Sequence, residues 1–134
     1  MRSAVHWWIA GLCLVAAAAA ATPAAARSPA IKRTILQSTE IPGENRVIVL
    51  GLAEIPAGLA AGRHSHPGVE TGYVIEGSAS LEIDGEPARV LVAGDSYLIP
   101  AGRVHDARAL GNATVRVLAT YVVEKGKPLA LPAP

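Results

Sequence analysis

The sequence predicts an all-β domain, a sandwich or barrel built from short antiparallel strands. Three observations point there. From Ile31 onward the chain runs in short apolar segments cut by Gly, Pro and Asp; several segments are rich in β-branched residues; and several alternate apolar with polar positions. No stretch after residue 30 has the spacing of a long amphipathic helix.

The elements follow in order. Residues 31–36 and 46–55 are the first two strand-like runs. Residues 72–75 and 80–84 flank Glu76-Gly77, a turn signal. In the second of these, Leu81 and Ile83 share one face while Ser80, Glu82 and Asp84 share the other, as a period of two requires. Asp84-Gly85 is a tight hairpin signal leading into residues 89–92. Ala93-Gly94-Asp95 turns into residues 96–99, and Pro100-Ala101-Gly102 turns into residues 104–109. The last run, 114–123, alternates Thr114 and Arg116 with Val115 and Val117. Residues 57–62 have room for one helical turn, weakened by Gly58 and Gly62. Residues 125–134 hold three Pro and read as a loose cover or a disordered end.

The chain has 134 residues, enough for one domain, and its 51% apolar content is concentrated at the start. Arg2 precedes an apolar run over residues 5–21, Pro23 breaks the pattern, and Ala24-Ala25-Ala26 offers a small-residue cleavage site before Arg27. This order reads as a secretory signal, residues 1–26, with cleavage after Ala21 as a second option. A membrane anchor is the competing reading, but a spanning helix takes about 20 apolar residues, and this run is shorter and rich in Ala. Leu12 stands where a lipoprotein signal needs a small residue before Cys13, so Cys13 is not read as a lipidation site. The expected location is periplasmic or secreted.

Without residues 1–26 the chain has 108 residues, with 11 basic and 11 acidic side chains. Zero net charge gives no bulk attraction to nucleic acid or to an anionic membrane, and neither is expected as a partner. No Cys, Trp, Phe or Met remains. That excludes a disulfide framework, a thiolate zinc site and a cysteine nucleophile. The core must be built from 11 Val, 11 Leu and 8 Ile. The organisation reads as signal (1–26), leader and first strand (27–45), main domain (46–123) and Pro-rich tail (124–134).

After residue 26 there are three His: His64, His66 and His105. A lone His is usually a surface or hydrogen-bonded side chain. Here His64 and His66 are one residue apart, so on a strand both imidazoles face the same way. Glu70 follows across Pro67-Gly68, where a turn would bring it beside the pair; the plain alternative is a solvated turn carboxylate.

The wider spacing is more specific. Gly58, five residues, His64-Ser65-His66, three residues, Glu70, six residues and Gly77 form one pattern. Gly94, five residues, Pro100-Ala101-Gly102, two residues and His105 form a second. In these two motifs the chain resembles the cupin family, specifically its small single-domain members, over residues 46 to about 123. Ala109 departs from the family pattern, which usually carries Asn there, a position that does not ligate metal. The resemblance implies a double-stranded antiparallel β-helix, or jelly-roll barrel, around a small cavity. It implies that His64, His66, Glu70 and His105 bind one divalent transition metal. Imidazoles with one carboxylate suit Mn, Fe, Co, Ni, Cu or Zn and suit Ca or Mg poorly. Four ligands on a six-coordinate ion leave two positions for water or substrate.

Around these residues, Gly72 leaves either room for a ligand or a strand bulge. Tyr73 and Tyr97 are expected to pack the sandwich rather than line the site. Arg63 is expected in solvent, Arg103 is undecided, and Asp106 should face away from His105. No separate general base is evident, which disfavours a sugar isomerase. The resemblance points first to a metal-dependent dioxygenase like the quercetinase-like small cupins, acting on a small organic substrate. A non-catalytic metal or small-ligand binding module and a metal-assisted lyase or decarboxylase are the alternatives; the last needs a carboxylate-binding Arg, for which Arg103 is the candidate. A homodimer formed through sheet edges is expected, with residues 31–36 as an edge needing cover.

Overall fold

The computed structural model describes residues 30–134; the expected signal segment, residues 1–26, lies outside the described residues. Ten strands form: β1 (Lys32–Glu40), β2 (Arg46–Ile55), β3 (His64–Ser65), β4 (Gly68–Glu76), β5 (Ser78–Ile83), β6 (Arg89–Val92), β7 (Ser96–Ile99), β8 (His105–Leu110), β9 (Val115–Glu124) and β10 (Leu131–Pro132). They assemble into two five-stranded sheets, β1-β2-β9-β4-β7 and β10-β3-β8-β5-β6, paired antiparallel throughout. Neighbours in a sheet are mostly distant in sequence, as in a jelly roll.

Alternation decides which side chains are enclosed. Along β9, Val115, Val117, Ala119, Tyr121 and Val123 are buried, and the residues between them are only half covered. On β5 the buried positions are Ala79, Leu81 and Ile83. Facing rows close two buried clusters, the larger of which holds Val74 and Val115, both fully buried, and the smaller Ala119, Tyr121 and Val123. Enclosing each of these valines contributes about 1.5–3 kcal/mol relative to exposure. Two motif glycines make the turns. Gly58 (φ 74°) and Gly94 (φ 98°) lie in the left-handed region that a Cβ disfavours. The Gly94 turn is tied to the site-bearing strand: the Gly94 amide donates to the Val74 carbonyl, and the Val74 amide donates to the Asp95 carbonyl, each at 2.9 Å.

Three local expectations are corrected. Residues 57–62 form no helical turn; they lie against β8, with Ala61 donating to Ala107 at 2.8 Å and Ala109 donating to Leu59 at 2.9 Å. Asp84-Gly85 does turn the chain, with the Glu86 amide on the Ile83 carbonyl at 2.9 Å, but pairing resumes only at Arg89↔Leu81. Pro87 has no N–H to give the ladder, so the connection is longer than a tight hairpin. The Pro-rich tail is neither loose nor disordered: β10 pairs with β3, and the Ala133 amide donates to the Arg63 carbonyl at 3.0 Å.

Candidate metal centre

Two rows of side chains meet at one end of the sandwich. In the second sheet His64 lies directly across from His105, with Ile83 on the other side of His105. In the first sheet Glu70 lies between Tyr121 and Ile99. His66 occupies the corner where the chain leaves β3 and, through Pro67, crosses to β4 in the other sheet. The three imidazoles converge, with ring centroids 4.3–5.1 Å apart. Their ligand nitrogens lie within 4.8 Å of one another. His66, Glu70 and His105 are buried, and His64 is half-buried.

Each imidazole is held through Nδ1 by a backbone carbonyl: His64 by Gly62 at 2.6 Å, His66 by Leu129 at 2.6 Å and His105 by Arg103 at 3.1 Å. A carbonyl only accepts, so Nδ1 carries the proton in all three rings and Nε2 is left with a lone pair. Glu70 Oε2 lies 2.8 Å from His66 Nε2 and 3.3 Å from His105 Nε2. Two acceptors at that separation repel unless a positive charge is shared between them. His66 Nε2 and Glu70 Oε2 are buried and have no other partner. Either a second ring proton or a metal cation satisfies them. Donors bound at about 2.1 Å to one ion and at right angles to each other are about 3 Å apart. The two observed separations bracket that value, and the three His lie close enough together to hold one metal ion.

Burial pushes the Glu70 carboxyl up, but His105, His66 and the Tyr97 hydroxyl outweigh it and hold the group well below the usual carboxylate range. Burial lowers His64, and the Gly62 carbonyl only partly offsets this. Burial lowers His105, but Glu70, the Arg103 carbonyl and Asp106 together outweigh it, and its pKa is raised. Burial, reinforced by Glu70, pushes the Tyr97 and Tyr121 hydroxyls far up, so both stay protonated.

Tyr97 does not merely pack the sandwich: its hydroxyl donates to Glu70 Oε1 at 2.7 Å. Tyr73 does not pack the core either; it is half exposed on the outer face of the first sheet. Gly72 stands directly across from Tyr97, and a Cβ there would run into the Tyr97 ring. The missing side chain makes room for Tyr97 rather than for a ligand. Arg63 is at the surface as expected, bidentate to Asp84 at 2.9 and 3.0 Å. Arg103 turns to the same loop and donates to the Asp84 carbonyl at 2.5 Å, so it does not line the cavity. His105 and Ala107 line the cavity and Asp106 between them does not, as strand parity requires.

Two contributors carried little sequence signal. Leu129 acts through its carbonyl, which every residue type has. Tyr97 could have been found only by knowing that Gly72 is its neighbour across the ladder. Replacing Tyr97 by Phe should leave Glu70 Oε1 unpartnered and lower metal affinity about tenfold, within the range for residues that orient metal ligands. A chelator-competition titration of the Tyr97→Phe protein measures this. The cavity above the histidines is about 50 Å³, walled mainly by Val74, Leu81, Leu91, Val117 and several alanines.

The family profile described as the cupin domain matches residues 51–121, a span holding all four of these residues. The chain belongs to the cupin family. Among solved structures, this cupin is similar to an uncharacterised conserved protein with a double-stranded β-helix domain from Klebsiella pneumoniae, at 25% identity and a TM-score of 0.62, covering 78% of this chain and 85% of that one. It is similar to KdgF from Halomonas sp., at 25% identity and TM-score 0.57, covering 71% and 82%. It is also similar in fold to the DMSP lyase DddQ from Ruegeria pomeroyi, at 24% identity and TM-score 0.58 over 64% of this chain, but the match spans only 43% of the lyase. The curated proteins give no match.

Proposed function

We propose that this cupin is an exported enzyme in which His64, His66, Glu70 and His105 hold one divalent transition metal and act on a small organic substrate. The observation that carries the reading is the pair of buried acceptors, His66 Nε2 and Glu70 Oε2, facing each other at 2.8 Å with no hydrogen-bond donor among the described residues and with His105 Nε2 a further 3.3 Å from the carboxylate. A metal bound there supplies Lewis acidity and, if redox-active, a route for electrons to O₂. The protein's part is to orient and to exclude water. The three Nδ1–H···O=C bonds aim the imidazoles, Tyr97 fixes Glu70, and the aliphatic walls keep the site dry. A dioxygenase-type reaction asks for little more than this; among the described residues, the ionisable side chains lining the cavity besides the histidines and Glu70 are Tyr97, Tyr121 and Arg33. A cavity of about 50 Å³ admits only a few heavy atoms, far below the roughly 300 Å³ of sites that enclose drug-sized ligands. A flavonoid would have to leave most of its body outside. Substrate-dependent O₂ consumption by the metal-loaded protein, over a panel of small enols and acids, tests the reading. Elimination or CO₂ release without O₂ uptake would select a lyase or decarboxylase instead. Tight metal binding without turnover of any of them would select a binding module.

Export is supported by Arg2, the apolar run and Ala24-Ala25-Ala26. N-terminal sequencing of the native protein is expected to start near Thr22 or Arg27; an intact Met1 in a membrane fraction would refute cleavage. A homodimer is supported less by the sheet edge than by the outer face of the first sheet. Ile48, Val122 and Val69 lie in one row across it, and Leu52, Leu118 and Tyr73 in another. Ile48, Val69, Tyr73 and Leu98 are left exposed. Light scattering at micromolar concentration should give a dimer mass, and Tyr73→Lys with Leu98→Lys should reduce it to the monomer.

A further inference from the structure

Among the described residues, Arg33 is the one exposed residue lining the cavity beside the histidines. It comes from β1, outside both histidine motifs. The register explains its direction: Arg33 lies across from Ala53, which lies across from Val117 and, through it, Val74, the row that faces inward. Ala53 is small, so the long side chain can lie over it towards the opening. Its Nη2 donates to the Ala61 carbonyl at 3.2 Å, which steadies the guanidinium. Among the described residues no carboxylate pairs with it; Arg89, Arg103 and Arg108 share that lack, but none of them lines the cavity. Arg33 also borders a second hollow of about 260 Å³, lined by Arg63 and sharing Ala61 and His64 with the first cavity. A fixed guanidinium with free N–H groups, set between a solvent hollow and a small apolar cavity ending in imidazoles, is chemistry for a carboxylate.

We propose that Arg33 selects a small carboxylate as the substrate of this site, gripping the carboxylate at the opening while the rest of the molecule enters the cavity. The inference rests on the metal-centre reading for the chemistry that follows, but not for the grip itself. The cavity holds only a few heavy atoms beyond the gripped group, so the acid is short. The role is one of binding and orientation. Arg103, bonded to the Asp84 carbonyl, does not take it.

The test uses acetate and its uncharged isostere acetamide, titrated by NMR into the metal-free and the zinc-loaded protein. The parent should bind acetate in preference to acetamide in both forms. Arg33→Gln should weaken acetate about tenfold in both, leave acetamide unchanged and leave zinc content unchanged. Arg33→Lys should recover part of the loss, because it restores the charge without the fork. Equal acetate affinity for parent and Arg33→Gln would overturn the proposal, and so would an equal loss of acetamide. Zinc content is measured separately, and the metal-free arm reads Arg33 alone. Failure of the metal centre is therefore distinguishable from failure of the carboxylate grip.

Discussion

His66→Ala is expected to lower zinc affinity by more than about 100-fold, beyond what is typical for loss of a residue that merely supports a ligand. The change removes one imidazole donor. It also leaves Glu70 Oε2, a buried atom 2.8 Å from His66 Nε2, with only the longer approach to His105 at 3.3 Å. Competition against a chelator of known affinity measures the loss. Ser65→Ala is the control, because Ser65 lies between the two histidines in sequence but is not one of the side chains that converge as donors. His105→Ala protein that held stoichiometric zinc as tightly as the parent would remove the site from consideration. The pH dependence has a definite sign. A carboxylate beside His105 raises its pKa, so in the metal-free protein a proton occupies the pair more tightly than it would a free imidazole of pKa about 6.5. Zinc must displace that proton. Apparent affinity should therefore rise with pH until His105 is neutral and fall on acidification.

Gly68→Ala is expected to cost about 3 kcal/mol or more of folding stability, at the upper end of overpacking costs. A Cβ at Gly68 would run into the Val122 carbonyl and the Val123 Cα, which are backbone atoms with no rotamer to give. Gly68 opens β4 opposite Val123 of β9, two residues before Glu70, so the strands must separate where the carboxylate is placed. For a domain of this size the loss corresponds to a Tm lower by roughly 12 °C or more, read by calorimetry. Gly102→Ser tests a different kind of glycine. Its Cβ would meet nothing within 4 Å, and only its φ of 71° is unfavourable, so the expected cost is about 1 kcal/mol. Equal losses for the two variants would show that conformational freedom, not close strand approach, sets the Gly68 requirement.

Much of this protein was legible from its amino-acid order because strand physics is local. Alternation of apolar and polar residues fixes which side chains can be enclosed, and the predicted runs over residues 46–55, 89–92 and 96–99 coincide with β2, β6 and β7. The two motifs were also readable, since Gly58 and Gly94 are residues that can take the left-handed turns the chain makes there. The close pair His64 and His66, with Glu70 beyond Pro67, marked the site before any fold was known. Yet β3 ends at Ser65, and the two imidazoles meet across a corner between sheets rather than along one strand.

What only the tertiary structure decided are relations between residues far apart in sequence. The Leu129 carbonyl on His66 lies 63 positions away, and the Tyr97 hydroxyl on Glu70 lies 27 away. The tail could not be read as a strand because two paired residues, one of them Pro132, leave no periodicity to see. Arg33 could not be distinguished from the other arginines, since its meaning comes from the pairing of β1 with β2, which sets it at the cavity. Side-chain alternation is set by each strand's own backbone and so is written locally. Which faces then confront each other depends on the order β1-β2-β9-β4-β7, a choice made by the collapse of the whole chain around its aliphatic core.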